Sequence, residues 1–282
     1  MSPLAALLLS TTLAAQTGPG LPNLSYAPEQ LFEPVGFIES PEGHGNVTLL
    51  HGYLLTIYSS DGGGNEENGG FELWDISDPA SPTLFRRYDD ADPPGLREAH
   101  GYTVARLGDR LLLAAQAVEG IQLWDVTDPA AFSLLSYLDL EGIDKGDYSG
   151  AWWTYWQAPW LYVAGVDSGL YVVDASDPAS PALAARLPTG DLAGLSPAQC
   201  WAVGNLLVLA ESKGLGLATL DISDPVAPRM LSKINGKLGY SHIFAGDGKI
   251  LTSGSVPPRA YVHQVSSAGV ITHEATFGLY FD

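Results

Sequence analysis

The chain has 282 residues, sets 13 Lys and Arg against 32 Asp and Glu for a net charge of -19, and is 46% hydrophobic. That hydrophobic share supports a sizeable core and excludes wholesale disorder. The charge argues against nucleic acid or an anionic membrane as partner, because too few cations exist to neutralise a run of phosphates. Thirty-two glycines and 20 prolines argue against long helices and for many short elements joined by turns.

In chain order, residues 1–15 come first. They are apolar from Leu4 to Ala15, end in small residues at Ala14 and Ala15, and lack Lys or Arg. They read as a secretory signal peptide. Residues 16–34 read as a linker, and 35–282 as one folded unit. Beyond residue 16 no apolar run of about 18 residues occurs, so no transmembrane helix is expected. The single Cys200 cannot form an intramolecular disulfide.

A repeated phrase organises the rest. It runs Phe71-Glu-Leu-Trp-Asp-Ile-Ser-Asp-Pro79, then Ile121-Gln-Leu-Trp-Asp-Val-Thr-Asp-Pro129. It returns as Leu170-Tyr-Val-Val-Asp-Ala-Ser-Asp-Pro178 and Leu217-Ala-Thr-Leu-Asp-Ile-Ser-Asp-Pro225. A degraded copy, Tyr261-Val-His-Gln-Val-Ser-Ser267, follows. The second copy shows the grammar of each unit. His100 to Arg106 alternates, Leu107-Gly-Asp-Arg110 turns, and Leu111 to Ala115 is an apolar run. Glu119-Gly120 turns again, Ile121 to Val126 forms a third strand, and Ser133 to Leu138 a fourth. Four short strands in about 45–50 residues are one blade of a β-propeller. The fold expected is therefore all-β, a propeller of four-stranded antiparallel blades with about five blades visible. The aspartates Asp75, Asp78, Asp125, Asp128, Asp174, Asp177, Asp221 and Asp224 read as turn formers, their side chains bonding the bend after each third strand. The second strands, such as Leu111 to Ala114 and Leu206 to Leu209, are apolar on both faces, which stacked blades would cover.

The phrase resembles the LVIVD repeat of bacterial secreted and surface propellers, most closely at Leu170 to Pro178. The resemblance covers about residues 35 to 275. A group of exported LVIVD proteins shares the Gly-rich first-blade insertion, here Asp61 to Gly70, and the string Tyr148-Ser-Gly-Ala-Trp-Trp153. The resemblance implies about seven blades, so five imply a truncated product whose arc is open or strained. It implies no shared catalytic residues.

Candidate site residues follow the same order. His44, His100 and His242 stand at the starts of first strands, which line the channel of a propeller. Glu98, Asp147 and Tyr148 precede such strands, and Trp152 opens the aromatic run of Trp153, Tyr155, Trp156 and Trp160. A His/carboxylate cluster there could hold a divalent metal or supply acid–base groups. The plainer reading, polar groups wetting a channel, is the one adopted. Asp61, Asn65, Glu66 and Asn68 offer oxygen ligands among glycines, which suits calcium, although a solvated hairpin is preferred and no cofactor is expected. The aromatic run reads mainly as packing between blades. The functional expectation is a monomeric, exported, non-enzymatic scaffold binding a protein, peptide or glycan at the cell surface or in the periplasm. The alternative is a metal-dependent hydrolase or oxidase working in the channel.

Overall fold

The computed structural model describes residues 35–278, apart from 37, 39–43, 59–68, 90–95, 97–98, 100, 118, 147–148, 237, 239–240 and 256–257. The expected signal peptide lies outside the described residues. Five four-stranded antiparallel sheets follow one another along the chain. The first blade holds β1 (His44–Leu50), β2 (Tyr53–Tyr58), β3 (Gly70–Asp75) and β4 (Thr83–Asp89). The second holds β5 (Tyr102–Leu107), β6 (Arg110–Ala117), β7 (Gly120–Asp125) and β8 (Ser133–Asp139). The third holds β9 (Trp153–Gln157), β10 (Trp160–Ala164), β11 (Leu170–Asp174) and β12 (Ala182–Leu187). The fourth holds β13 (Pro197–Val203), β14 (Leu206–Glu211), β15 (Gly216–Asp221) and β16 (Arg229–Asn235). The fifth holds β17 (Ser241–Gly246), β18 (Lys249–Ser255), β19 (Pro258–Val265) and β20 (Ile271–Gly278).

Alternate residues of each second strand face different neighbours, as the pleat requires. In β6, Leu113 and Ala115 pack toward the first blade while Leu112 and Ala114 pack toward the third. In β10, Leu161 and Val163 face the second blade, and Tyr162 and Ala164 face the fourth. In β14, Leu207 and Leu209 look back and Val208 and Ala210 look forward. These residues are all but inaccessible to solvent. The inner strands β5, β9 and β13 touch in succession, which places first strands about the axis.

Four apolar clusters thus join five blades, and among the described residues none joins the fifth blade to the first. The sheets do not close into a ring. Val47, Leu49 and Leu84 stay exposed on the first blade, and Leu251 and Phe277 on the fifth. Parity explains Val47, Leu49 and Leu251: Leu50 and Ile250 face neighbouring blades, so residues of the other parity on β1 and β18 must face away.

Each third strand pairs with its fourth through the same irregularity. The register shifts between Leu73 and Trp74, Leu123 and Trp124, Val172 and Val173, Thr219 and Leu220, and Val262 and His263. An added residue on the fourth strand is a β-bulge, which bends that strand and increases its twist.

The turn after each third strand is built from the repeated aspartates. Asp75, Asp125, Asp174 and Asp221 accept the N–H of the residue two further on at 2.8, 2.9, 2.9 and 2.9 Å. Asp78, Asp128, Asp177 and Asp224 do the same at 3.0, 2.9, 3.1 and 3.2 Å. Backbone bonds from Ser81, Ala131, Ser180 and Ala227 to the carbonyls of those second aspartates complete each bend. The backbone N–H groups of Ser77, Ser176 and Ser223 hold the carboxyls of Asp75, Asp174 and Asp221 below the usual range.

A further member of the phrase is glycine. Gly70, Gly120, Gly169 and Gly216 stand five residues before the first aspartate. A Cβ on Gly120 would lie 2.1 Å from the Leu138 carbonyl oxygen, and one on Gly169 2.1 Å from that of Leu187. The third strand can therefore approach the fourth only without a side chain at that point.

Two outcomes are expected. Gly120→Ala should lower stability by about 1–3 kcal/mol in urea unfolding, because backbone rather than a flexible side chain must move. Asp174→Ala should lower the melting temperature more than Asp174→Asn, which keeps the accepting oxygen. The folded carboxyl titrates below its unfolded value, so its contribution is full above about pH 4 and is lost as pH falls through the lowered value. Melting curves between pH 2 and 5 should therefore show a shallower acid loss in Asp174→Asn than in the parent.

Candidate functional site

An even number of antiparallel strands divides the loops between two faces. One face carries the tight turns between first and second strands together with the aspartate turns. His51 and Gly52, and Asp247 and Gly248, all have positive φ there, the pattern of a type I′ hairpin. The opposite face carries the second-to-third loops and the connections between blades, and these differ from blade to blade.

On that variable face the chain is tied down where it enters the inner strands. Gln116, fully buried near the end of β6, accepts the Gly101 N–H through Oε1 at 2.9 Å and donates Nε2 to the Ala151 carbonyl at 2.6 Å. Gly101 immediately precedes β5, and Ala151 lies just before β9. One amide thus fixes the approaches to two neighbouring inner strands, β5 and β9. The Trp152 N–H donates to the Ala164 carbonyl at 2.8 Å, which sets the third-blade approach against β10.

The connection from the second blade to the third is strapped to the third blade's own loop, since the Asp144 N–H donates to Ser168 Oγ at 2.8 Å. That loop, a single 3-10 turn at Val166–Ser168, reaches the fourth blade through Ser196 Oγ, which donates to Asp167 Oδ1 at 2.7 Å. Val166 sits at φ 46°, a strained position for a β-branched residue, and one that the surrounding bonds must enforce. Arg186 lies 5.1 Å above the Tyr171 ring and donates Nε to the Ser168 carbonyl at 3.3 Å. Lys145 bridges Asp139 at 3.0 Å and Glu119 at 3.2 Å, and these bonds, Asp139 first, raise its pKa. Burial, aided by Asp139 and Glu119, pushes Tyr137 up to about 12. The face is acidic in the open, with Glu141, Asp144, Asp167 and Asp191 exposed.

The sequence candidates fall unevenly on this framework. His44 opens β1 and His242 is the second residue of β17, both inner strands, while their side chains lie outside the described residues. Glu98, His100, Asp147 and Tyr148 lie outside them entirely, as do Asp61, Asn65, Glu66 and Asn68 of the Gly-rich loop. Trp152 is half-buried immediately before β9. The aromatic run divides by parity: Trp156 is buried toward the second blade, and Trp153, Tyr155 and Trp160 pack toward the fourth. Tyr155 lies 5.0 Å from the Trp201 ring. Among the described residues, no group of three or more His, Cys, Asp or Glu gathers in one place. Cys200 is buried, its Sγ 3.5 Å from the Tyr162 carbonyl, and burial pushes its thiol pKa up. It therefore serves as a small core residue. Gln116 and Ser168 were missed from sequence because a polar residue in an apolar strand or a short loop carries no motif.

Comparison with known proteins is consistent with the geometry. Residues 66–90 and 159–189 match the LVIVD repeat. No curated protein matches the chain. A crystal structure of a protein from Lactobacillus plantarum superposes with a TM-score of 0.64 at 16% identity, covering 83% of this chain and 71% of that one. The periplasmic gluconolactonase PpgL of Pseudomonas aeruginosa gives 0.62 at 13%, covering 84% and 72%. The Cps50 (Swd1) β-propeller domain of Myceliophteria thermophila gives 0.59 at 14%, covering 86% and 73%. At these identities the likeness is one of fold.

Replacing Gln116 by Leu should leave the Gly101 N–H and the Ala151 carbonyl without their side-chain partner. A loss of about 1–3 kcal/mol per orphaned group is expected, read by urea unfolding. Faster amide exchange at Gly101 should accompany it.

Proposed function

The chain is a β-propeller that carries LVIVD repeats, and we propose that it is an exported, non-enzymatic scaffold whose variable face binds a protein, peptide or glycan. The observation that carries the proposal is the strapping of that face. Gln116, Ser168 and Ser196 hold loops from three successive blades. Binding to loops already held in place costs less ordering entropy than binding to free ones. Loops on a rigid frame are also where recognition generally resides. The exposed carboxylates of Glu141, Asp144, Asp167 and Asp191, in a chain of net charge -19, favour a partner surface bearing cationic groups. The leader-like residues 1–15 and the repeat resemblance support a surface or periplasmic site of action.

A second reading keeps the channel as a hydrolytic centre built on His44, Glu98, His100, Asp147 and His242. It is favoured by the placing of His44 and His242 on inner strands and by the gluconolactonase among the fold neighbours.

Arrays of cationic peptides and of cell-wall glycans, probed with the purified chain, separate the two. Saturable binding that weakens at least tenfold in Asp144→Lys/Asp167→Lys, without loss of fold, supports the scaffold. Gluconolactone hydrolysis above the buffer rate that disappears in His100→Ala, with no array binding, overturns it in favour of the enzyme.

A further inference from the structure

The bulge in each blade creates one directly opposed pair between the third and fourth strands. In the first four blades that pair is Trp74 with Leu84, Trp124 with Leu134, Val173 with Leu183, and Leu220 with Met230. All four are apolar. In the fifth blade the same pair is His263 with His273. In the fifth blade two imidazoles replace this apolar pair, that of His263 fully buried and that of His273 exposed.

The ring centres of this pair lie 5.2 Å apart. Two imidazoles bound to one tetrahedral ion through bonds of about 2.0–2.1 Å have ring centres roughly 5 Å apart. The hydrogen bonds also leave the right atom free. Thr252 Oγ1 donates its single hydrogen to the Leu238 carbonyl. Toward His263 Nε2, 3.1 Å away, it can then only accept. The hydrogen of His263 therefore sits on Nε2, and Nδ1 carries a bare lone pair. That Nδ1 is buried and has no hydrogen-bond partner. This is the arrangement of a metal-binding histidine, whose outer nitrogen is held by a neighbour so that the inner one points at the ion. On His273, Nε2 lies 2.9 Å from Thr276 Oγ1, leaving its Nδ1 as the second ligand atom.

We propose that His263 and His273 form a two-histidine clamp for a divalent transition-metal ion, pinning the outermost strand β20 to β19, with solvent completing the coordination. Imidazole pairs select copper, nickel or zinc over calcium or magnesium. The site differs from the channel and from the Gly-rich loop, and does not depend on either.

The test is titration of the full chain with Cu²⁺ at pH 7.5, followed by calorimetry and by electron paramagnetic resonance. One equivalent should bind with a spectrum showing two imidazole nitrogens, and the melting temperature should rise. His273→Ala, at an exposed position, should weaken that equivalent at least tenfold. The double substitution His263→Leu/His273→Met restores the pair found in the fourth blade, and should fold while losing that equivalent altogether. No saturable binding, or an equivalent unchanged in both variants, overturns the clamp.

Discussion

Every blade depends on a shared constraint: its second and third strands are largely apolar and buried on both faces, and only a neighbouring blade can cover each face. A single four-stranded sheet of this composition would expose two hydrophobic surfaces. Stacking removes both, and the cost of ordering some 45–50 residues per blade is met by burial that belongs to pairs of blades. The alternation within β6, β10 and β14, in which odd and even residues serve different clusters, is the direct expression of that dependence. A strand that buried only one side would not need it.

The two rims divide the remaining work. The rim with the aspartate turns is nearly the same in four blades, because a bend closed by side-chain oxygens and a proline leaves little room for variation. The other rim carries the connections, and there the polar bonds run between blades: Asp144 to Ser168, Ser196 to Asp167, Gln116 to Ala151. Such bonds hold loops whose own sequences contain no regular structure. The fourth strands carry unpaired edges, and Arg86, Arg87, Arg186, Arg229 and Lys233 lie along them. Charge on an edge discourages another chain from adding a strand.

Much of this was legible in the residues. Four copies of one phrase specified blade boundaries, strand count and turn chemistry, because those features are local and repeat. The glycine five residues ahead of Asp125 was equally visible, but reading the phrase from its hydrophobic start passed it over, and only the closeness of the Leu138 carbonyl shows what it does. Gln116 was hidden for a different reason: its partners are backbone groups on two other segments, and no spacing encodes them. His44, His100 and His242 stand out in the sequence because they open first strands. His263 and His273 went unnoticed because their opposition depends on an inserted residue, and the pairing register is invisible until the bulge is placed.

An arc has ends, and ends change how a stacked molecule breathes. When each unit is held by its neighbours, the free energy of local opening follows the number of neighbours a unit has. The third blade, flanked on both sides and with β10 and β11 almost wholly sealed from water, should be the last to exchange its amide hydrogens. Among the described residues the first and fifth blades each stack on a single neighbour, so they should fray first, as the outer coils of a spring do. Protection would then fall off outward from the middle of the chain rather than from the axis to the rim.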